Sequence, residues 1–92
     1  MYICIAEYKI MPEHRAPYLA LVNKLKEKDS RVKVYEGSDQ SELFVEVWTA
    51  QSQDEADAIK EERCGERSSW HAVSQWIVGG GAKLHVWTFK PI

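Results

Sequence analysis

The hydrophobic and polar positions of this chain follow one ordered series of elements. Apolar-polar alternation over short runs is typical of strands, and apolar residues at three- and four-residue steps are typical of helices. The pattern predicts strands at 2–10, 31–36, 42–49 and 82–90, helices at 14–28 and 52–63, and a second helical segment from about residue 67. This order predicts a ferredoxin-like α+β fold, βαββαβ, with a four-stranded antiparallel sheet and its helices on one face.

Local signals mark where the helices begin and end. Ser52 and Glu55 stand at the spacing of a capping box, which satisfies free amides in the first turn of a helix. Glycine disfavours a helix interior, so Cys64-Gly65 predicts a break before the later helical segment. Gly79-Gly80-Gly81 predicts the end of that segment. The apolar stripe of helix 14–28 consists of Tyr18, Leu21, Val22 and Leu25, and that of the later segment of Trp70, Val73, Trp76 and Ile77.

The strands carry bulky apolar residues on both faces. Ile3 and Ile5 alternate with Cys4, Ala6 and Tyr8 in the first strand. The third strand sets Val45 and Val47 against Phe44, Glu46 and Trp48, and the fourth sets Leu84 and Val86 against His85, Trp87 and Phe89. Helices on one face of the sheet would leave the other face exposed to solvent. Because that face also carries bulky apolar residues, it would form an apolar patch, which predicts an interface. We therefore expect a homodimer through the sheet face, in which two sheets form an α/β barrel.

Composition narrows the classes of partner. The 92 residues fit one domain, 1–92, of which 45% of residues are hydrophobic and 28% charged. The net charge is −2 with both signs interspersed, so no nucleic-acid partner is expected. No apolar run approaches the roughly 20 residues that span a bilayer, so no membrane partner is expected either.

The cysteines and the first residues favour a reducing compartment. The start has no basic region of the kind that opens a signal peptide. Cys4 and Cys64 fit no C-x-x-C pattern and no metal spacing, so a structural disulfide is the minor alternative to two free thiols. We therefore expect a cytoplasmic protein.

The most distinctive chemical cluster is Trp70-His71 with Trp76. Two indoles and an imidazole could hold a phenol or enol and accept its proton, because histidine titrates near neutrality. His71 is therefore the candidate catalytic residue. The structural alternative, which we favour, makes Trp70 and Trp76 core residues and His71 a solvated neighbour.

Several other residues are candidates for lining a ligand pocket. Glu46, between Phe44 and Trp48 on one strand face, is either a general base or, as we favour, the partner of a cation. Arg31, Lys33 and Lys83 are the candidate cations. His85 could line a cavity or form a hydrogen bond across the dimer. The pocket candidates are Tyr8, Glu46, Trp48, Trp70, Trp76 and His85.

No pattern indicates a metal or a bound cofactor. A metal site needs three or four converging ligands, and the three histidines lie on separate predicted elements. The glycine triplet follows a helix and precedes a strand, which is the reverse of a dinucleotide-binding turn. We expect neither a metal site nor a cofactor.

The chain resembles the antibiotic-biosynthesis-monooxygenase-like family of dimeric α/β barrels. The resemblance rests on IAEYKI followed by a proline and an amphipathic helix, and on Phe44-Val45-Glu46-Val47-Trp48 leading into an acid-capped helix. It implies a homodimer with a cavity between sheet and helices in each protomer. The haem-degrading branch is disfavoured, because Tyr8 and Ile59 stand where that branch has asparagine and tryptophan.

Three functional hypotheses follow from the residues and the resemblance together. The leading one is a small-molecule-handling protein that acts as a cofactor-independent monooxygenase on an aromatic or polyketide-like substrate. The second is a non-enzymatic dimeric domain for binding or stress response. The third is a cofactorless isomerase, which would exchange a substrate proton without consuming oxygen.

Overall fold

A computed structural model describes residues 1–92, and its elements follow the predicted order. The strands are β1 (Tyr2–Lys9), β2 (Val32–Glu36), β3 (Leu43–Ala50) and β4 (His85–Phe89). The α-helices are α1 (Arg15–Lys28) and α2 (Gln53–Cys64), and 3-10 helices span Pro12–His14, His71–Trp76 and Gly81–Lys83. None of these helices is long and apolar enough to cross a membrane.

The strands form one antiparallel sheet in the order β2-β3-β1-β4. Strands β1 and β2 are parallel with β3 between them, and β3 and β4 are parallel with β1 between them. Each β-α-β unit therefore crosses over one strand, as in a split βαβ unit. The predicted ferredoxin-like α+β fold is confirmed.

The two faces of the sheet differ in burial as the alternation predicts. On the face under the helices, Cys4, Ala6, Tyr8 and their β3 neighbours are buried. The opposite side, called the outer face below, has no element over it. Its members are Ile3, Ile5, Glu7, Lys9, Lys33, Tyr35, Leu43, Val45, Val47, Thr49, His85, Trp87 and Phe89. Tyr35, Trp87 and Phe89 are 54%, 45% and 48% exposed, which is unusual for side chains of this size.

The helices present the stripes that bury against the sheet. Tyr18, Val22 and Leu25 of α1 are buried, as predicted. The Ser52 hydroxyl accepts the Glu55 amide at 3.1 Å, which confirms the cap. The Glu55 carboxylate reaches back one residue further than the capping box predicts and accepts the amide of Gln51 at 2.9 Å.

Two predicted segments differ from the structure. The break at Gly65 is confirmed, but the segment after it forms the 3-10 helix His71–Trp76. Because a 3-10 helix has three residues per turn, Trp70, Val73 and Trp76 lie along one side of it, so the spacing suits either helix type. Strand β4 begins at His85 instead of residue 82, because residues 81–83 form a 3-10 turn.

Candidate functional site

The centre of the protein holds a carboxylate with no contact to solvent. Glu46 lies on β3, faces the helices and is 0% exposed. Its Oε1 accepts the Trp48 indole N–H at 3.0 Å and the Nε–H of Arg63 at 2.7 Å. Its Oε2 accepts the Tyr8 hydroxyl at 2.5 Å and an Nη2–H of Arg63 at 2.8 Å. The desolvation cost of the buried carboxylate is thus offset by four donors, two of them cationic.

Arg63 supplies the opposite charge from the last turn of α2. It continues the buried stripe of Ala56 and Ile59 and is 3% exposed. Its guanidinium carbon lies 5.4 Å from the Trp70 ring centroid and 5.9 Å from that of Tyr8. Burial of Arg63 lowers the pKa of its guanidinium, but the hydrogen bonds to Glu46 and the negative charge of Glu46 together outweigh burial and raise that pKa. The pair is therefore charged, bidentate and fixed between two aromatic rings.

Two tyrosines extend this network towards α1. The Tyr8 and Tyr18 hydroxyls lie 2.8 Å apart. Since the single Tyr8 proton is donated to Glu46, Tyr18 is the donor to the Tyr8 oxygen. Burial and the nearby Glu46 charge hold the pKa of Tyr8 well above its ordinary value, and burial also raises the pKa of Tyr18. Both phenols therefore stay protonated and act as donors.

A cleft opens beside the charged pair, between the end of α1, α2 and the segment that follows α2. Its volume is about 160 Å³. Its lining residues are Leu25, Lys28, Asp29, Arg31, Trp48, Ile59, Glu62, Arg63, Ser68, Ser69 and Trp70. The rings of Trp48 and Trp70 meet edge to face at a centroid distance of 5.4 Å. The indole walls of the cleft are therefore anchored to each other and, through Trp48, to Glu46.

A second ion pair borders the same cleft. Both terminal oxygens of Asp29 accept from the Arg31 side chain, at 2.8 and 3.0 Å, and these bonds lower the pKa of Asp29. The guanidinium carbon of Arg31 lies 5.7 Å from the Trp48 ring centroid. Lys28 and Glu62 line the cleft, and neither forms an ion pair. The Ser68 hydroxyl accepts a hydrogen bond from the backbone amide of Trp70 at 3.1 Å. The cleft therefore combines fixed aromatic walls with unpaired polar groups.

The structure brings four of the seven candidate residues together. Tyr8, Glu46, Trp48 and Trp70 surround the Arg63 guanidinium. The other three, His71, Trp76 and His85, lie elsewhere. His71 is exposed and lines no cavity, and Trp76 is half-buried against the core. His85 is exposed on the outer face, where its ring stacks on Trp87 at 5.7 Å. The role of His71 as proton acceptor stays a prediction.

One expected partnership is corrected. Glu46 is ion-paired, as favoured from the sequence, but with Arg63 and not with Arg31, Lys33 or Lys83. Lys33 points to the outer face and Arg31 is paired with Asp29, whereas Arg63 reaches Glu46 from α2. The sequence reasoning missed Arg63 and Tyr18. The signal for Arg63 was its position four residues after Ile59, which extends a thin apolar stripe by one turn.

The geometry limits the chemistry of the cluster. All four donors to Glu46 occupy its acceptor positions, so the carboxylate has none free for a substrate proton. No histidine lines the cleft. No group of three or more His, Cys, Asp or Glu side chains converges on a common point. The cleft combines parts of the Trp48 and Trp70 rings with charged and polar side chains.

Comparison with known proteins connects this fold to one group of structures. No family model matches the sequence, and no curated protein matches it. The chain matches the crystal structure of an antibiotic biosynthesis monooxygenase with a TM-score of 0.75 at 16% identity, over 100% of this chain and 99% of that one. A Deinococcus radiodurans protein described as a candidate antibiotic biosynthesis monooxygenase gives 0.73 at 13% identity, over 99% and 92% of the two chains.

The same fold occurs under other names. A conserved protein from Methanosarcina mazei matches with a TM-score of 0.72 at 12% identity, over 97% of this chain and 90% of that one. A NIPSNAP family protein from Agrobacterium tumefaciens gives 0.66 at 14% identity, over 99% and 92%. At such identities the likeness is one of fold. The chain therefore has the antibiotic-biosynthesis-monooxygenase-like fold that the resemblance predicted.

Proposed function

We propose that this protein binds a small aromatic molecule in the cleft beside Trp48 and Trp70, as one protomer of a homodimer. The observation that carries the proposal is the cleft itself, whose indole walls are anchored by the buried Glu46–Arg63 pair. Ligand sites are typically concave, with aromatic walls and a few placed polar groups. Walls that are already fixed lose little conformational entropy when a ligand binds.

The size of the cleft favours a single ring. An apolar protein cavity of about 150 Å³ accommodates benzene, and this cleft measures about 160 Å³. The fused rings of a polyketide-like substrate would project out of it. We therefore infer that the ligand contains a single ring.

The unpaired polar groups favour a hydroxyl or carboxylate on that ring. Arg31 and Arg63 are each held by a carboxylate, so Lys28 is the cleft cation that is free to meet an anion. Glu62 and the Ser68 hydroxyl provide hydrogen-bonding groups for a phenol. A ligand that carries both substituents, 4-hydroxybenzoate, is the appropriate first probe.

The test compares two tryptophans of the same segment. Calorimetric titration with 4-hydroxybenzoate should give saturable binding, and Trp70→Phe should weaken it about tenfold because the indole wall shrinks. Trp76→Phe is the matched control, since Trp76 lies outside the cleft. Equal affinity of the two variants, or absence of saturable binding to the unmodified protein, would show that the cleft is not the ligand site.

A second candidate function is cofactor-independent oxidation of the bound ring. It is supported by the likeness to structures named antibiotic biosynthesis monooxygenases. In such a reaction a phenol becomes a quinone: one oxygen atom of O₂ enters the ring and the other leaves as water with two hydrogens from the substrate. His71 lies outside the cleft, so the proposal assigns no role to it.

One set of measurements separates the three functional hypotheses. Oxygen uptake with ¹⁸O in the ring product indicates a monooxygenase. Exchange of a carbon-bound substrate proton with D₂O, without oxygen uptake, indicates an isomerase. Binding of 4-hydroxybenzoate and related phenols with neither signal indicates a non-enzymatic binding protein, which is the function that the cleft alone supports.

A further inference from the structure

A second cavity lies at the end of the sheet where β1 finishes and β4 starts. Its volume is about 340 Å³, within the range of ligand sites. Its lining residues are Glu7, Tyr8, Lys9, Leu43, Val78, Gly79, Lys83 and His85. It shares no residue with the cleft beside Trp48 and Trp70, which is called the tryptophan cleft from here on. The second cavity lies at the rim of the outer face, away from the central row of Ile5, Val47 and Trp87.

The charges around this cavity are unbalanced. Lys9, Lys83 and His85 face a single carboxylate, that of Glu7, which stands opposite His85 in the pairing of β1 with β4. None of these four side chains takes part in an ion pair. The two ammonium groups therefore leave the cavity with excess positive charge. Its hydrophobic lining residues are Tyr8, Leu43 and Val78.

The glycine triplet holds Lys83 in this position. Val78 is fixed to β1 by its amide, which donates to the Lys9 carbonyl at 2.9 Å. Gly79 and Gly80 then turn the chain with φ of +84° and +81°, a region that favours glycine. A Cβ on Gly79 would lie 2.7 Å from Cγ of Lys83, whereas one on Gly80 would meet nothing within 4 Å. The bare Gly79 backbone thus makes room for the Lys83 side chain.

We propose that this cavity binds a small organic carboxylate with an apolar body, the chemistry of a medium-chain fatty acid. The apolar part contacts Leu43 and Val78, and the carboxylate is held by Lys83 and Lys9. Charge complementarity carries this assignment, because an amphipathic anion satisfies both the unpaired ammonium groups and the apolar lining. The lining residues all come from one protomer, and none of them lines the cleft beside Trp48 and Trp70, so the site does not depend on the cleft ligand.

The first experiment titrates the protein with octanoate and with octanol, by calorimetry. Octanoate should bind saturably and octanol about tenfold more weakly, since the alcohol lacks the charge that the lysines meet. Lys83→Met keeps most of the apolar stem but removes the charge, and it should weaken octanoate about tenfold. Lys90→Met is the control, because Lys90 is exposed, follows the other end of β4 and carries the same charge.

A matched pair of glycine variants tests the architecture of the site. Gly79→Ala and Gly80→Ala both place a side chain on a residue with positive φ, but only the first pushes against Lys83. Gly79→Ala should therefore weaken octanoate binding more than Gly80→Ala. Amide chemical shifts should move at Val78 and Gly79 and stay in place at Ser68 and Ser69. Equal binding of octanoate and octanol, equal effects within either variant pair, shifts confined to the tryptophan cleft, or no saturable binding would each overturn the proposal.

Discussion

Among single residues, Arg63 carries the largest predicted effect on stability. The Glu46–Arg63 pair is buried and bidentate, and Trp48 and Tyr8 complete its hydrogen bonds. Removing one partner of such a pair leaves an uncompensated buried charge, which costs about 3–5 kcal/mol. Arg63→Met should therefore lower the free energy of unfolding by that amount, measured by urea denaturation.

Two further variants show whether the buried charge is the cause. Arg31→Met breaks the ion pair between Arg31, whose side chain is 39% exposed, and Asp29, whose side chain is 25% exposed. Because the pair is partly solvated, this variant should lower the free energy of unfolding by no more than about 1 kcal/mol. The double variant Glu46→Gln with Arg63→Met removes both charges and should be more stable than Arg63→Met alone. A cost for Arg63→Met no larger than that for Arg31→Met would refute the argument.

Cys4 links stability to pH on the alkaline side. Burial raises the pKa of its thiol from the ordinary 9.0 to about 11. Above pH 9 the unfolded chain releases this proton while the folded chain retains it, so stability falls as pH rises from 9 to 11, by about 2 kcal/mol. Tyr8 and Tyr18, whose pKa values are also raised by burial, add to the loss above pH 10.

The two cysteines provide the test of this pH dependence. Unfolding by urea at pH 8 and pH 10.5 should show a smaller alkaline loss of stability in Cys4→Ala than in the unmodified protein. Cys64 is an exposed thiol whose charge makes only a smaller contribution than burial to the raised pKa of Cys4, so Cys64→Ala should keep most of the loss. If Cys4→Ala keeps the pH dependence of the unmodified protein, the buried thiol does not contribute to it.

At the scale of elements, periodicity predicted the sheet well because burial on each strand follows side-chain direction. The alternation in β1 and β3 separated Tyr8, Phe44 and Trp48 from the residues of the opposite faces, but it did not show which face meets the helices; in the structure these three are buried under the helices. The type of the segment after Gly65 could not be read from its spacing. Apolar residues at three-residue steps, as at Trp70 and Val73, fit a 3-10 helix as well as an α-helix.

Only part of the candidate site could be predicted, because Arg63 and Tyr18 reach it from helices and not from the strand that carries Glu46. The strand pattern singled out Glu46 and Trp48, but the cation that pairs with Glu46 arrives from α2, 17 residues further on. Whether Trp70 or Trp76 faces the cleft depends on how the chain turns after α2, which no local pattern encodes. Arg63 could be found only by treating a charged residue as a member of a buried stripe.

At the scale of the whole molecule, the outer face is the feature that the monomer leaves unexplained. Its central row runs from Lys33 through Val47 and Ile5 to Trp87 across all four strands. Exposed apolar surface of this extent marks an interaction site. We propose a second copy as its occupant, because two twisted sheets can pack face to face through their apolar sides and a domain of this size gains stability from added burial.

A charge placed in that row tests the dimer. Val47→Glu would bury a carboxylate without a partner between the two sheets, so the mass in solution should fall from twice the chain mass to the chain mass, as measured by light scattering. Ala20→Glu adds the same side chain at an exposed position of α1 and should leave the dimer intact. Trp87→Glu changes an exposed side chain of the same row and should also give monomer without disturbing the core. A monomeric unmodified protein, or dimers in both Val47→Glu and Trp87→Glu, would mean that the outer face has another occupant.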